Sequence, residues 1–312
     1  MNSLRRTLVF IPVLFLLVQC ETSSRPPEQE LDTPTSGKVR FSIDENVAPL
    51  ADELIDAFEY SYPDAFLVQS YGNEESVVNE LFNDSSRLAF MTRKLNKEEL
   101  SFFESKKFGI EQIPIGKDAV VFIVNRENPD SVFAVDEIRK MLTGEDSLWN
   151  EVDSRSSREK ITVVFDNSAS SNLRYLTDTL GTGKNLGKNC FAVSTNDSVI
   201  AYVQRTPGAV GVIGLNWLGD KDAGSDRERR SKICIAAIGP DRSSAVHPTQ
   251  SDLVTGAYPF ARGIWLVKIG KRADLGTGFA SFAYSDRGQL IVQTAGLAPA
   301  APAERKVEIN LR

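Results

Sequence analysis

From Val39 almost to the C-terminus, apolar and polar positions switch repeatedly between two periods. Val39-Arg40-Phe41-Ser42-Ile43 alternates at period two and predicts a strand. Leu50, Leu54, Ala57 and Phe58 then recur at three and four, predicting a helix that ends near Tyr62-Pro63. The same alternation predicts strands at 66–69 and Leu88–Met91 and helices at 76–82 and 97–107. Ile110–Asn125 holds two strand-like runs around Gly116, and a helix at 135–142 stops at Thr143-Gly144. Further helices are expected at 173–180 and 198–204, with strands at 210–213, 233–238 and 264–267. A last helical region spans 278–296. Strands alternating with helices predict an α/β fold with mainly parallel sheets covered on both faces. No fixed-period repeat and no membrane-spanning run follow the first residues.

One junction in this pattern carries candidate chemistry. The run Val163-Val164-Phe165-Asp166 passes through Asn167-Ser168-Ala169-Ser170-Ser171-Asn172 into Leu173-Arg174-Tyr175, where a helix opens. The first turn of a helix offers unpaired N–H groups and the positive end of the macrodipole, and hydroxyls there add donors for an oxyanion. Two readings stand, because Ser and Asn are also ordinary N-cap residues. In such folds ligands sit beyond the strand C-termini, where this cluster falls.

The N-terminus changes the picture of compartment. Residues 1–19 have a basic start at Arg5 and Arg6 and an apolar core from Leu8 to Val18, and end at Gln19-Cys20. The core is short for a spanning helix, which needs about 20 residues, and the pattern resembles a lipoprotein signal with Cys20 as the lipid-attachment residue. Gln19 departs from it, since a small residue normally precedes that cysteine. Residues 20–37, rich in Pro, Glu, Ser and Thr, read as a flexible tether. Removing two arginines and no acid moves the formal charge from −6 to −8, which excludes a basic nucleic-acid footprint. Cys190 and Cys234 either pair or remain separate thiols, since their spacing says nothing of distance.

Catalytic alternatives find little support. The single histidine, His247, lies in a Ser/Ala-rich stretch with no Cys or His nearby, so a metal site is not expected. There is no Gly-x-Ser-x-Gly elbow. Gly181-Thr182-Gly183-Lys184 lacks the strand and full spacing of a phosphate loop and reads as a helix end. Asp44-Glu45 and Glu74-Glu75 read either as general acid–base pairs or as carboxylates at helix starts. Asp226 to Lys232 reads as a solvated charge run. No enzyme and no cofactor are expected.

Several motifs resemble one family in its own order: Leu142-Thr143-Gly144 with Trp149; Gly208-Ala209-Val210-Gly211-Val212-Ile213-Gly214-Leu215; Tyr258-Pro259-Phe260-Ala261-Arg262; and Phe279-Ala280-Ser281-Phe282 followed by Asp286-Arg287-Gly288-Gln289 and Ala295-Gly296-Leu297-Ala298-Pro299. From about Lys38 to Pro299 the chain resembles the phosphate-binding lipoproteins of the phosphate ABC transporter, the PstS family of periplasmic solute-binding proteins. The resemblance implies a two-lobed type II periplasmic binding fold with two hinge strands. One lobe would comprise 38–115 plus 258–312, the other 116–257. It also implies phosphate or a related oxyanion as ligand, an ABC permease as partner, a monomeric state, and a cell-envelope location facing the periplasm through the lipid anchor. An alternative keeps the fold but serves envelope interaction or sensing without phosphate.

The family pattern transfers unevenly. Ala169-Ser170-Ser171 stands at its Ser-Gly-Thr place, and Phe165 stands at the place of its arginine. Its acid after the third strand falls at Met91-Thr92-Arg93, where no acid is present. Its first loop reads Asp44-Glu45-Asn46 and its second helix start Glu74-Glu75-Ser76. The expected ligand set is therefore Asp44, Glu45, Asn46, Ser76, Thr92, Arg93, Ser168, Ser170, Ser171, Asn172 and Arg174. Arg93 or Arg174 would replace the missing arginine, although on helical spacing Arg174 could equally face solvent.

Overall fold

The computed structural model describes residues 32–156, 159–183, 185–219 and 231–301. The expectations for 1–19, for Cys20 and most of the tether, for Lys184 and for most of 226–232 lie outside the described residues.

The expected alternation forms. β1 (Gly37–Asp44), α1 (Ala48–Ser61), β2 (Ala65–Gly72), α2 (Glu74–Phe82), β3 (Leu88–Met91) and α3 (Lys97–Ser105) follow one another. β1 pairs in parallel with both β2 and β3. Period two then sorts β3 between two cores. Leu88 and Phe90 join the cluster under α1, while Ala89 and Met91 join the one under α2 and α3. Phe41, Phe58 and Phe279 meet edge to face at 5.1 and 5.5 Å in the first cluster, a geometry aromatic rings favour.

β4 (Ile110–Asn125) is one 16-residue strand, not two runs around Gly116. Its first part pairs antiparallel with β11 (Ala261–Ile269), and its second with β8 (Ala209–Gly214) and β9 (Ile233–Ile235). A register shift between Ile264 and Trp265 takes up the irregularity near Gly116 without ending the strand. The glycine serves close approach instead: a Cβ there would lie 2.8 Å from the Ala298 carbonyl of β12 (Ala298–Pro299). β4 thus carries the chain from one half of the sheet to the other, and β11 returns beside it. Val120 N donates to Phe260 O at 3.0 Å and Tyr258 Oη to Val120 O at 3.2 Å at this crossing.

The second half contains β5 (Val132–Ala134), α4 (Val135–Thr143), α5 (Trp149–Val152), β6 (Thr162–Phe165), α6 (Ser171–Leu180), β7 (Cys190–Ala192) and α7 (Asn196–Arg205). β6 pairs in parallel with β7 and β8. The order through the shared sheet is β2-β1-β3-β11-β4-β8-β6-β7. The expected strand at 233–238 divides at Ala236, since β9 pairs with β4 whereas β10 (Ala237–Gly239) pairs with β5. α8 (Gln250–Thr255) was not expected from periodicity; Thr249 caps it by accepting from Asp252 N. The last helical region is two helices, α9 (Leu275–Tyr284) and α10 (Asp286–Thr294). Extended Ser285 ends one and caps the other through its hydroxyl. Phe165, at the family's arginine place, is 2% exposed in the core. Cys190 and Cys234 are both free, and burial raises the Cys190 thiol to about 11. Gly181 ends α6 at φ 65°, as a helix-closing glycine does.

Candidate functional site

Asp44 ends β1, and its Oδ1 accepts from Asn46 N at 3.0 Å, capping a 3-10 turn over Glu45–Val47. The turn aims Asn46 into the other half of the molecule. Asn46 Nδ2 donates to Ser171 Oγ at 3.0 Å and to Asp166 Oδ2 at 3.3 Å. Its Oδ1 accepts from Asn172 Nδ2 at 2.5 Å and from Asn196 Nδ2 at 3.3 Å. Its carbonyl accepts from Asn216 Nδ2 at 2.6 Å. One asparagine therefore ties the end of β1 to β6, α6, α7 and the turn after β8. None of these side chains belongs to a residue more than 2% exposed. Hydrogen bonds among buried groups act over a narrow range of distance and angle, which fixes how the two halves meet.

Ser170 is the N-cap of α6. It accepts from Asn172 N at 3.1 Å and donates to Asp166. Of the two readings of the hydroxyl cluster, capping falls on Ser170, while Ser171 accepts from Asn46 Nδ2 of the other half. Thr92 Oγ1 donates to Asp44 Oδ2 at 3.4 Å, so an acid from the first loop lies beside the residue where the family's acid is missing. Burial pushes the Asp44 carboxyl up to about 6; the Arg262 charge opposes this and Glu74 adds to it. Burial also raises Asp166, against the Ser170 hydrogen bond.

Beneath this network the two crossing strands contribute a further pair. Arg262 of β11 donates to Asp118 of β4 through Nη2 at 2.9 Å and Nε at 3.3 Å. Asn216 N also donates to Asp118 Oδ1, at 3.3 Å. Burial raises Asp118, and Arg262 opposes it. Arg262 Nη1 is buried without a partner, as are the side-chain oxygens of Asn172, Asn196 and Asn216.

A second cluster lines a cleft of about 820 Å³ between α2 and α6. Glu74, in the first turn of α2, has a side chain only 6% exposed. It receives Arg93 Nε on one side and Arg174 Nε at 2.9 and 3.0 Å on the other. Arg93 also holds Glu99 at 2.7 and 2.8 Å, and Arg174 holds Asp178 at 3.0 Å. Burial works against the charge of Arg93, but Glu99 and Glu74 outweigh it and raise its pKa.

Of the expected ligand set, Asp44, Asn46, Thr92, Ser170, Ser171 and Asn172 meet in the buried network, and Arg93 and Arg174 meet at Glu74. Ser168 is exposed on the cleft lining. Ser76 turns back into its own cap, its N donating to Asn73 Oδ1 and its hydroxyl to Asn73 O. Glu45 contributes a carbonyl that accepts from Trp217 Nε1 at 3.0 Å. Sequence reasoning missed Asp118, Asp166, Asn196, Asn216, Arg262 and the pairing of Glu74 with Arg93 and Arg174. Asp118, Asp166, Asn216 and Arg262 show only as polar residues beside or inside apolar runs, and Asn196 and Glu74 only as polar residues among polar neighbours where a helix begins. Among the described residues, no group of three or more His, Cys, Asp or Glu side chains is placed to hold a metal.

This is a two-lobed α/β binding fold, its polar network lying where the halves meet. The chain belongs to the family defined by the PBP superfamily domain, which it matches over residues 28–287. Among curated relatives, the phosphate-binding protein PstS of Borreliella burgdorferi is 24% identical over 258 residues, 80% of this chain and 85% of that protein. PstS of Staphylococcus haemolyticus is 20% identical over 261 residues, 81% and 78% of the two chains. Among solved structures, a putative phosphate ABC transporter substrate-binding protein from Clostridium perfringens, with bound phosphate, superposes at a TM-score of 0.71 and 18% identity. That match covers 85% of this chain and all of the other. A phosphate transport receptor from Vibrio cholerae reaches 0.64 at 16% identity, covering 83% and 99%. Among the described residues, no helix is long and apolar enough to cross a membrane.

Proposed function

We propose that this protein is an envelope solute-binding protein, anchored through lipid on Cys20, that captures an oxyanion, phosphate first, for an ABC permease. The names of its relatives support the ligand class and the transport setting. The observation that carries the reading is the convergence of Asp44, Thr92 and Arg262. Asp44 brings a carboxylate to the place where the family's acid is missing, beside Thr92. Arg262, buried with one nitrogen unpartnered, adds its charge beneath Asp44, and Arg93 and Arg174 on the cleft lining stand in for the arginine replaced by Phe165. Hydrogen phosphate can donate its remaining proton to an ionised Asp44, whereas fully deprotonated sulfate meets only repulsion there. Ser168, Ser171 and the start of α6 supply neutral donors. The lobes, 38–115 with 258–312 and 116–257, close about β4 and β11, and the protein works as a monomer.

Calorimetric titration of the purified protein with phosphate, sulfate, molybdate and small carboxylates tests the ligand. Phosphate should bind with a preference over sulfate that Asp44→Asn weakens between pH 5 and 8. A phosphate preference untouched by Asp44→Asn would remove Asp44 from the site. For the anchor, Cys20→Ala should release the protein from membranes or block its processing; unchanged fractionation and mobility would refute lipidation there.

A further inference from the structure

We propose that Glu74 is a resident anion: its carboxylate holds the space between Arg93 and Arg174 that a captured oxyanion competes for, closing the two halves without ligand and setting the affinity of the site. The inference rests on the anion-binding reading above and adds the residue that tunes it.

The position of Glu74 is that of a bound anion. It lies in the first turn of α2, where free N–H groups and the helix dipole favour negative charge. Two guanidiniums approach it from opposite sides of the cleft, Arg93 from the segment after β3 and Arg174 from α6 in the other half. The Arg174 contact engages both carboxylate oxygens, at 2.9 and 3.0 Å, and spans 100 residues of sequence. It is thus a bond between the halves and not one within an element.

Charge along the cleft points the same way. Arg93 has a second carboxylate in Glu99, and Arg174 a second in Asp178. With Glu75, the cleft lining carries four carboxylates against two arginines among the described residues. An incoming anion therefore finds both guanidiniums already engaged. Glu74 also lies close enough to Asp44 to make that carboxyl hold its proton more tightly. Glu74 and a captured oxyanion in the same space would repel each other at short range and low dielectric. Binding must move Glu74 aside, and the binding free energy is reduced by the contact it breaks.

Glu74→Gln keeps the size of the side chain and removes its charge, so both arginines become available to ligand. In the full chain, titrated with inorganic phosphate, this variant should bind roughly tenfold or more tightly than wild type. Amide exchange without added anion should at the same time become faster at 44–47 and 171–174, with α1 unchanged, and phosphate should restore protection. Arg174→Gln should loosen the same amides but weaken phosphate binding. An ion pair that only braces the fold predicts otherwise, with lower stability in Glu74→Gln and affinity equal or reduced; that result overturns the proposal. If neither protein binds phosphate, sulfate or molybdate, the phosphate reading fails and exchange decides the internal closure. Faster exchange in Glu74→Gln at those two segments would uphold it, and unchanged exchange would refute it.

Discussion

Two regions bridge the halves of this molecule by different chemistry. Around Asn46 the halves are joined by amides and hydroxyls together with the Asp166 carboxyl, in residues no more than 2% exposed. Around Glu74 they are joined by charge, with Arg174 one-third exposed. Neutral hydrogen bonds act over a narrow range of distance and angle, so the Asn46 network fixes orientation and resists salt. An ion pair at a cleft edge tolerates displacement, exchanges one anion for another, and weakens as salt rises. On the reading proposed above, the first region defines the geometry of the site and the second sets how readily it opens.

The largest effect expected from breaking this comparison is at Asn46. Asn46→Ala removes bonds to Ser171, Asp166, Asn172 and Asn196 together and leaves several buried polar groups unpaired. A loss of about 3–5 kcal/mol is expected in denaturant unfolding, with little dependence on salt. A loss below about 1 kcal/mol would mean that water replaces the network and that it does not define the geometry.

Asp44 should show the opposite sign. Its folded pKa, about 6, lies above the value of 3.8 for a free aspartate. The folded protein holds more protons between those values, so this group lowers stability as pH rises through the window, and its cost is complete above the folded pKa. Asp44→Asn should therefore gain on the order of 2–3 kcal/mol at pH 8 and little at pH 4. Melting curves of both proteins across pH 4 to 8 check this. Equal shifts at both ends would show that the carboxyl is not desolvated.

The two regions were not equally legible in the sequence. Period two and period 3.6 mark β1 to α3 because each residue's face follows from its neighbours. The same pattern cannot show that β4 runs through Gly116 or that β9 and β10 choose different partners, because partners are set by distant strands. Ser170, Ser171 and Asn172 stood out as a hydroxyl and amide cluster where a strand yields to a helix. Asp118, Asn196, Asn216 and Arg262 are single polar residues whose partners lie far away, 170 residues in the case of Asn216 and Asn46. Glu74 read as a helix-start carboxylate, which it is; its bond across the halves depends on an arginine 100 residues later.

A smaller effect tests whether Ser171 belongs to the neutral network or only faces ligand. Ser171→Ala removes the hydroxyl that Asn46 Nδ2 meets at 3.0 Å and should cost ~0.5–1.5 kcal/mol without ligand. A similar loss in phosphate binding would mean that the hydroxyl also donates to the anion. Unchanged apo melting with reduced affinity would assign it to ligand alone.

The smallest effect expected is at Asp178, and it separates the two partners of Arg174. Asp178 lies one turn along α6 from Arg174, and its side chain is 66% exposed. Exposed pairs at this spacing contribute only about 0.3–0.5 kcal/mol, because water screens both charges and ordering two side chains costs entropy. Asp178→Ala should therefore leave denaturant unfolding within about 0.5 kcal/mol of wild type. Amide exchange at 171–174 should also stay slow, since the buried Glu74 keeps its hold on Arg174 across the cleft. If Asp178→Ala instead frees these amides as Glu74→Gln is expected to, the positioning of Arg174 depends on its own helix. The charged region would then owe its closure to orientation along α6 more than to the carboxylate facing it.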